Sequence, residues 1–113
     1  MSMKILHMRY CNKIMTKQEN ILVTIMEECA EVQQAISKVL RFGYNNYHPS
    51  KHGTENWYTV LEEYYQLIAA VDFAQSQMIL PQLGDNECNL IKMEKVAKME
   101  KWLKVSEYEG TIQ

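Results

Sequence analysis

No uninterrupted apolar run in this chain approaches the roughly 18 residues that a membrane-spanning helix requires, which argues against a membrane protein. The opening residues Met1-Ser2-Met3-Lys4-Ile5-Leu6-His7-Met8-Arg9 lack the long apolar stretch of a secretory signal. The expected location is cytoplasmic, or the host cytoplasm for a viral protein. Charge of either sign is not in excess: 12 Lys and Arg stand against 14 Asp and Glu, a formal net charge of −2. Without a concentrated basic surface, a DNA or RNA polymer is not an expected partner. Cysteine is scarce. Cys11, Cys29 and Cys88 are odd in number and none is spaced as a zinc pair, so reduced thiols are expected. His48 and His52 are four residues apart, but Pro49 and Gly53 make that stretch a loop, a poor frame for a histidine metal site. Strand-type alternation, internal repeats and interdomain linkers are also lacking.

What is present is helical periodicity. With 113 residues and 47% apolar content, the chain suits one domain around one core, spanning 1–113. Thr16 followed by Glu19 forms a capping box, which predicts a helix starting near Lys17. Its apolar stripe runs through Ile21, Ile25, Cys29, Val32, Ile36 and Val39, and Gly43 is its natural stop. The turn formers of Gly43–Gly53 predict a loop. A second helix should run from Thr54 or Asn56 to Leu80, burying Leu61, Tyr64, Tyr65, Ile68, Val71 and Met78 and ending at Pro81. A third should span about Cys88 to Val105, with Met93, Val96, Trp102 and Leu103 available to pack and five lysines spaced by three winding outside. The segment Met1–Met15 is ambiguous. The predicted fold is all-α: an antiparallel helical bundle with two long core helices plus a C-terminal helix.

One stretch of the first helix stands out. In Glu27-Glu28-Cys29-Ala30-Glu31 the three carboxylates fall within roughly 100° of helix circumference. Glu27 and Glu31 are one turn apart, while Glu28 leans towards the apolar stripe. Crowded carboxylates repel one another and resist burial, and a divalent cation converts that cost into a binding site. Lys38, two turns beyond Glu31, returns to nearly the same face, where it could meet phosphate oxygens; Arg41 at the helix end could also reach an anion. On the second helix, Glu63 and Gln66 share a face and would complete an acidic pocket if the two helices pack antiparallel. The bland reading of the same residues is a solvated acidic surface.

Taken together, these residues resemble the all-α nucleoside triphosphate pyrophosphohydrolases, the MazG-like family, whose pattern is EExxE on one helix and ExxD on the next. The first half stands here as Glu27-Glu28-Cys29-Ala30-Glu31. Its continuation through Lys38 to Arg41-Phe42-Gly43 is similar to small phage and bacterial members, and Leu67-Ile68-Ala69-Ala70-Val71-Asp72 is similar to the segment after ExxD. The resemblance spans roughly Thr16 to Gly110 and is strongest in the first helix. The second motif departs from the pattern: Glu63-Tyr64-Tyr65-Gln66 places Gln66 where the family has aspartate, a variation that resembles a viral-type branch. Asp72 cannot substitute, because six residues turn the helix by about 600° and leave it roughly 120° away.

The resemblance implies a MazG-like bundle and hydrolysis of a nucleoside triphosphate to monophosphate and pyrophosphate. It implies a metal shell of Glu27, Glu28, Glu31 and Glu63 with Gln66, holding Mg²⁺ or Mn²⁺ in its place. The same glutamates would be catalytic, and Lys38 and Arg41 would bind the substrate phosphates. It also implies a homo-oligomer, dimer or tetramer. No side chain is singled out for the base; Asn20, Asn56, Trp57 and Tyr65 are available. Two other readings stay open: a nucleotide-binding or sequestering protein weakened in catalysis by Gln66, and a structural helical interaction module.

Overall fold

The computed structural model describes residues 14–113. The ambiguous N-terminal segment, apart from its last two residues, lies outside the described residues. Among these, the chain is all-helical, with α1 at Lys17–Phe42, α2 at Asn56–Ser76, α3 at Asp85–Glu109 and one 3₁₀ turn at Pro49–Lys51. The chain divides between Leu80 and Pro81 into two compact units, the first carrying α1 and α2 and the second carrying α3.

The capping box works as its spacing predicts. Thr16 Oγ1 accepts from the Glu19 backbone N–H at 3.0 Å and donates to Glu19 Oε1 at 3.2 Å, so α1 begins at Lys17. At the other end the Gly43 N–H closes on Val39 O at 2.8 Å. Gly43 then adopts φ 95° and ψ 160°, a region essentially reserved for glycine.

Helices α1 and α2 pair antiparallel. Lys17 Nζ, at the start of α1, donates to Gln77 Oε1, just past the end of α2, at 2.6 Å. At the opposite end Asn56 Nδ2, in the first turn of α2, donates to Gly43 O at 2.9 Å. The face α1 turns inward carries Ile21, Glu28, Ala35 and Val39, separated by seven, seven and four residues. Ile21, Ala35 and Val39 are buried and Glu28 is half-buried. The matching face of α2 carries Asn56, Thr59, Glu63 and Ala74; Asn56, Thr59 and Ala74 are buried and Glu63 is half-buried. Such three-, four- and seven-residue intervals keep side chains on one side of a helix.

This seam corrects the expected packing of the second helix. Of the residues assigned to its buried side, Ile68 and Val71 are half-buried, whereas Leu61, Tyr64, Tyr65 and Met78 lie outward, at 45%, 45%, 63% and 92% exposed. Small side chains take the seam instead, Ala74 and Thr59 on α2 and Ala35 on α1, because they let two helix backbones approach. Of the α1 stripe, Ile21 and Val39 are buried, whereas Cys29 and Ile36 are exposed. Among the described residues no large side chain is fully buried.

The ends of α2 and α3 also differ from expectation. α2 stops at Ser76, four residues before the predicted Leu80. Its last carbonyls are closed by Met78 N–H to Gln75 O and Ile79 N–H to Ala74 O, both near 3 Å, with Met78 at φ 60°. That pattern is a Schellman turn with methionine at the left-handed position that glycine usually fills, so the sequence carries no glycine to announce it. α3 starts at Asp85, not Cys88, and continues to Glu109. Asp85 and Glu87 sit in its first turn, where carboxylates favour the helix dipole, and Gly110 closes its end at φ 73°. On α3 the lysines at 92, 95, 98, 101 and 104 each fall about 60° behind the last, so they wind around the helix as expected. The residues assigned to pack there, including Met93 and Trp102, are 68% and 61% exposed.

Candidate functional site

Two carboxylates interrupt the α1–α2 seam. Glu28 holds an inward position on α1 between Ile21 and Ala35, and Glu63 holds one on α2 between Thr59 and Ala74. Glu31, one turn past Glu28 and nearer the rim, is exposed. The Glu28 Oε2 atom is buried with no hydrogen-bond partner. A buried carboxyl oxygen without a partner in a helix seam is costly, and such groups ordinarily find a donor or a cation.

Glu63 feels the carboxylates of α1 across the seam. Burial pushes the Glu63 carboxyl above its usual range, the charges of Glu31, Glu28 and Glu62 push it further, and Lys51 pulls it back. Glu28 and Glu31 of the EExxE stretch are thus near enough to Glu63 to act on its charge. The donors are not drawn into a closed shell: among the described residues no group of three His, Cys, Asp or Glu is gathered closely enough to hold a metal ion as it stands. The oxygen-only donor set and the orphaned Glu28 oxygen fit a hard cation such as Mg²⁺.

The remaining residues singled out from the sequence fall around this cluster. Glu27 is exposed on the outer side of α1 and Gln66 is exposed on α2. Asp72 is exposed as well, about half a helix turn from the seam face. Lys38 borders the seam beside the inter-helix connection. Arg41 lies about 150° around α1 from the buried face, lines an outer groove with Gln33, Gln34 and Ser37, and places its guanidinium 5.1 Å from the Phe42 ring centre. Lys38 and Arg41 thus both line the outer groove, but only Lys38 also reaches the seam side.

The connection between α1 and α2 folds back onto the helices and supplies Lys51, which the sequence did not single out, and His48, which it weighed only as a metal ligand. Loop carbonyls cap α2 in place of a side chain: Asn56 N–H donates to Asn46 O at 2.7 Å and Trp57 N–H to Tyr44 O at 3.2 Å. His48 Nδ1 accepts from the Ser50 N–H at 3.1 Å and lies 2.7 Å from Ser50 Oγ, which starts the 3₁₀ turn. Lys51 N–H and Thr54 N–H continue it to His48 O and Lys51 O at 2.8 and 2.9 Å. Lys38, His48, Lys51 and Thr54 meet there over a floor of Ala35, Asn56 and Thr59. The two histidines have other duties, His48 in the turn and His52 edge-on to Tyr47 at 5.0 Å. Of the side chains available for a base, Asn56 is engaged with Gly43, the Trp57 indole donates to Glu55, and Tyr65 packs edge-on to Tyr64 at 5.1 Å. Cys29 and Cys88 are free thiols, and among the described residues no helix is long and apolar enough to cross a membrane.

Compared with protein-family models, with curated proteins and with solved structures, the chain matches none.

Proposed function

We propose that this chain is a Mg²⁺-dependent nucleotide pyrophosphohydrolase of the MazG-like type, converting a nucleoside triphosphate to its monophosphate and pyrophosphate. The observation that carries the reading is the carboxylate pair Glu28 and Glu63 set into an otherwise close helix seam, with Glu31 at its rim and one Glu28 oxygen left without a donor. A structural two-helix module has no need of such a pair at inward positions.

Glu28, Glu31 and Glu63 would hold Mg²⁺, or Mn²⁺ in its place, with Glu27 and the Gln66 carbonyl at the edge of the shell. When bound, the cation supplies charge neutralisation at the phosphates and acidifies water. The protein supplies the rest. Lys38 pairs with phosphate oxygens and orients the chain for in-line attack. A water oxygen bonds to the α-phosphorus, the α–β bridging bond breaks, and pyrophosphate leaves with the bridging oxygen. The water proton passes to a carboxylate of the cluster, one of Glu27, Glu28 or Glu31. The exposed apolar side chains on α1, among them Leu40 at 80% and Met26 at 70%, suit burial in a homo-oligomeric bundle, a dimer or tetramer.

A second reading rests on Gln66. A neutral amide at the family's aspartate position removes one negative charge from the shell, which favours a protein that binds nucleotides and turns them over slowly or not at all. Pyrophosphate release from a nucleotide panel with Mg²⁺ tests both readings, with Glu31→Gln as the control. Release by the native chain that falls at least 100-fold in the control supports hydrolysis. Nucleotide binding without release supports sequestration, and turnover should then rise in Gln66→Asp. Neither binding nor release refutes both.

A further inference from the structure

The connection between α1 and α2 carries chemistry that the carboxylate cluster does not use. Its turn brings Lys51 and His48 to line one small space with Lys38, together with Thr54, Asn56 and Thr59. The enclosed space is small, about 10 Å³, room for one water or one anionic oxygen. It adjoins a hollow of about 370 Å³ lined by Phe42, Asn46, Tyr47 and Pro49, with Lys38, His48 and Asn56 shared between the two. That size lies in the range of small-molecule sites.

The two spaces differ in character. Lys51 and the two threonines line only the small space. Phe42, Tyr47, Pro49 and Asn46 line only the hollow, and Lys38 and His48 stand between them. The cationic end lies about one helical turn from the carboxylates, since its lining residues Ala35 and Thr59 stand four residues from Glu31 and Glu63. Its backbone is held by the connection: the loop carbonyls cap α2, and His48 Nδ1 anchors the turn that carries Lys51. With Nδ1 engaged by Ser50, only Nε2 of His48 is left to meet a ligand.

We propose that the connection forms the second half of a nucleotide site, with Lys51, His48 and Lys38 taking phosphate oxygens and the Phe42–Tyr47–Pro49 hollow taking the nucleoside. This assignment rests on the nucleotide reading above and deepens it, naming Lys51 as a phosphate-binding residue in addition to Lys38. A nucleoside polyphosphate fits both ends: anionic oxygens for two ammonium groups, and a flat ring for an aromatic-lined hollow. Inorganic pyrophosphate offers the anionic oxygens without the ring.

The test is binding by calorimetry in EDTA, so that the carboxylates contribute no metal, with pyrophosphate and a panel of nucleoside triphosphates as probes. Lys51→Ala should weaken both probes about tenfold, which is about 1.4 kcal/mol. Lys51→Arg should keep most of the affinity, and Tyr47→Ala should weaken triphosphates while leaving pyrophosphate unchanged. Circular dichroism on each variant verifies the fold; Lys51 is exposed, so its truncation leaves the seam intact. Unchanged triphosphate and pyrophosphate binding in Lys51→Ala overturns the inference, even where the native chain hydrolyses nucleotides with Mg²⁺. Lys51-dependent pyrophosphate binding with no binding of any nucleotide supports the anion pocket and overturns the nucleotide reading.

Discussion

Replacing Glu63 with glutamine should make the metal-free protein more stable. Glu63 sits half-buried in the α1–α2 seam, and its carboxyl is raised by burial and then by Glu31, Glu28 and Glu62, with Lys51 opposing. A raised folded-state value means that the folded protein holds this proton more tightly than the unfolded chain does. The associated stability is fully present below the ordinary glutamate value of 4.5 and is lost as pH rises through the raised value. At neutral pH the native chain therefore carries an uncompensated charge that the Glu63→Gln variant lacks. Charge pairs at partly exposed positions are worth roughly 0.2–1 kcal/mol each. Two repulsive partners across the seam and one on the same helix, offset by one attractive lysine, leave a net on the order of 1 kcal/mol. For a chain of this size that is roughly 4 °C in melting temperature. Thermal melts in EDTA at pH 7.5 should show the variant melting higher, with the gap closing as pH falls towards 4.5. Millimolar Mg²⁺ should reverse the order, because the native chain gains stability by binding and the variant gains little. A variant that melts lower than the native chain in EDTA would refute the placement of Glu63 among like charges.

Other consequences follow from single positions. Met78 is 92% exposed at φ 60°, so Met78→Gly removes left-handed strain without loss of packing and should stabilise by about 1 kcal/mol in urea unfolding. Asn56→Ala removes the 2.9 Å bond to Gly43 O at a buried position and should cost about 1 kcal/mol. Asn56→Asp should cost more, since it sets a carboxylate against that carbonyl; proteolysis between Gly43 and Glu55 would accelerate in both. Mg²⁺ stabilisation should weaken on acidification at a higher pH than an ordinary glutamate site, because protons compete at the raised Glu63. Gln66→Asp should tighten Mg²⁺ binding several-fold by calorimetry while lowering stability in EDTA through added repulsion.

Local rules located what local chemistry determines. Thr16 and Glu19 announced the start of α1, and Gly43 its end, because caps and glycine turns depend on neighbouring residues. The end of α2 was missed because methionine occupies the left-handed position at residue 78. Its inward face departs from the expected set in part, for a different reason. Hydrophobic size selects Leu61, Tyr64 and Tyr65, but close packing against α1 selects the small side chains of Thr59 and Ala74. At the site, the pairing of Glu63 with Glu28 and Glu31 was legible from helical spacing and an antiparallel hairpin. Lys51 and His48 were not. Their approach to Lys38 depends on a tight turn after Pro49, on Gly53 at φ 84° and on loop carbonyls capping α2, none of which periodicity encodes.

The most direct measurement is a Mn²⁺ titration followed by electron paramagnetic resonance, with the native chain, Glu31→Gln on α1 and Glu63→Gln on α2, each with and without a non-hydrolysable nucleoside triphosphate. If carboxylates from both helices hold one cation, each substitution weakens Mn²⁺ by about tenfold, or about 1.4 kcal/mol, and nucleotide tightens binding in the native chain alone. Mn²⁺ affinity that is indifferent to Glu63, or that no nucleotide changes, would mean the seam carboxylates do not form a shared metal–phosphate site.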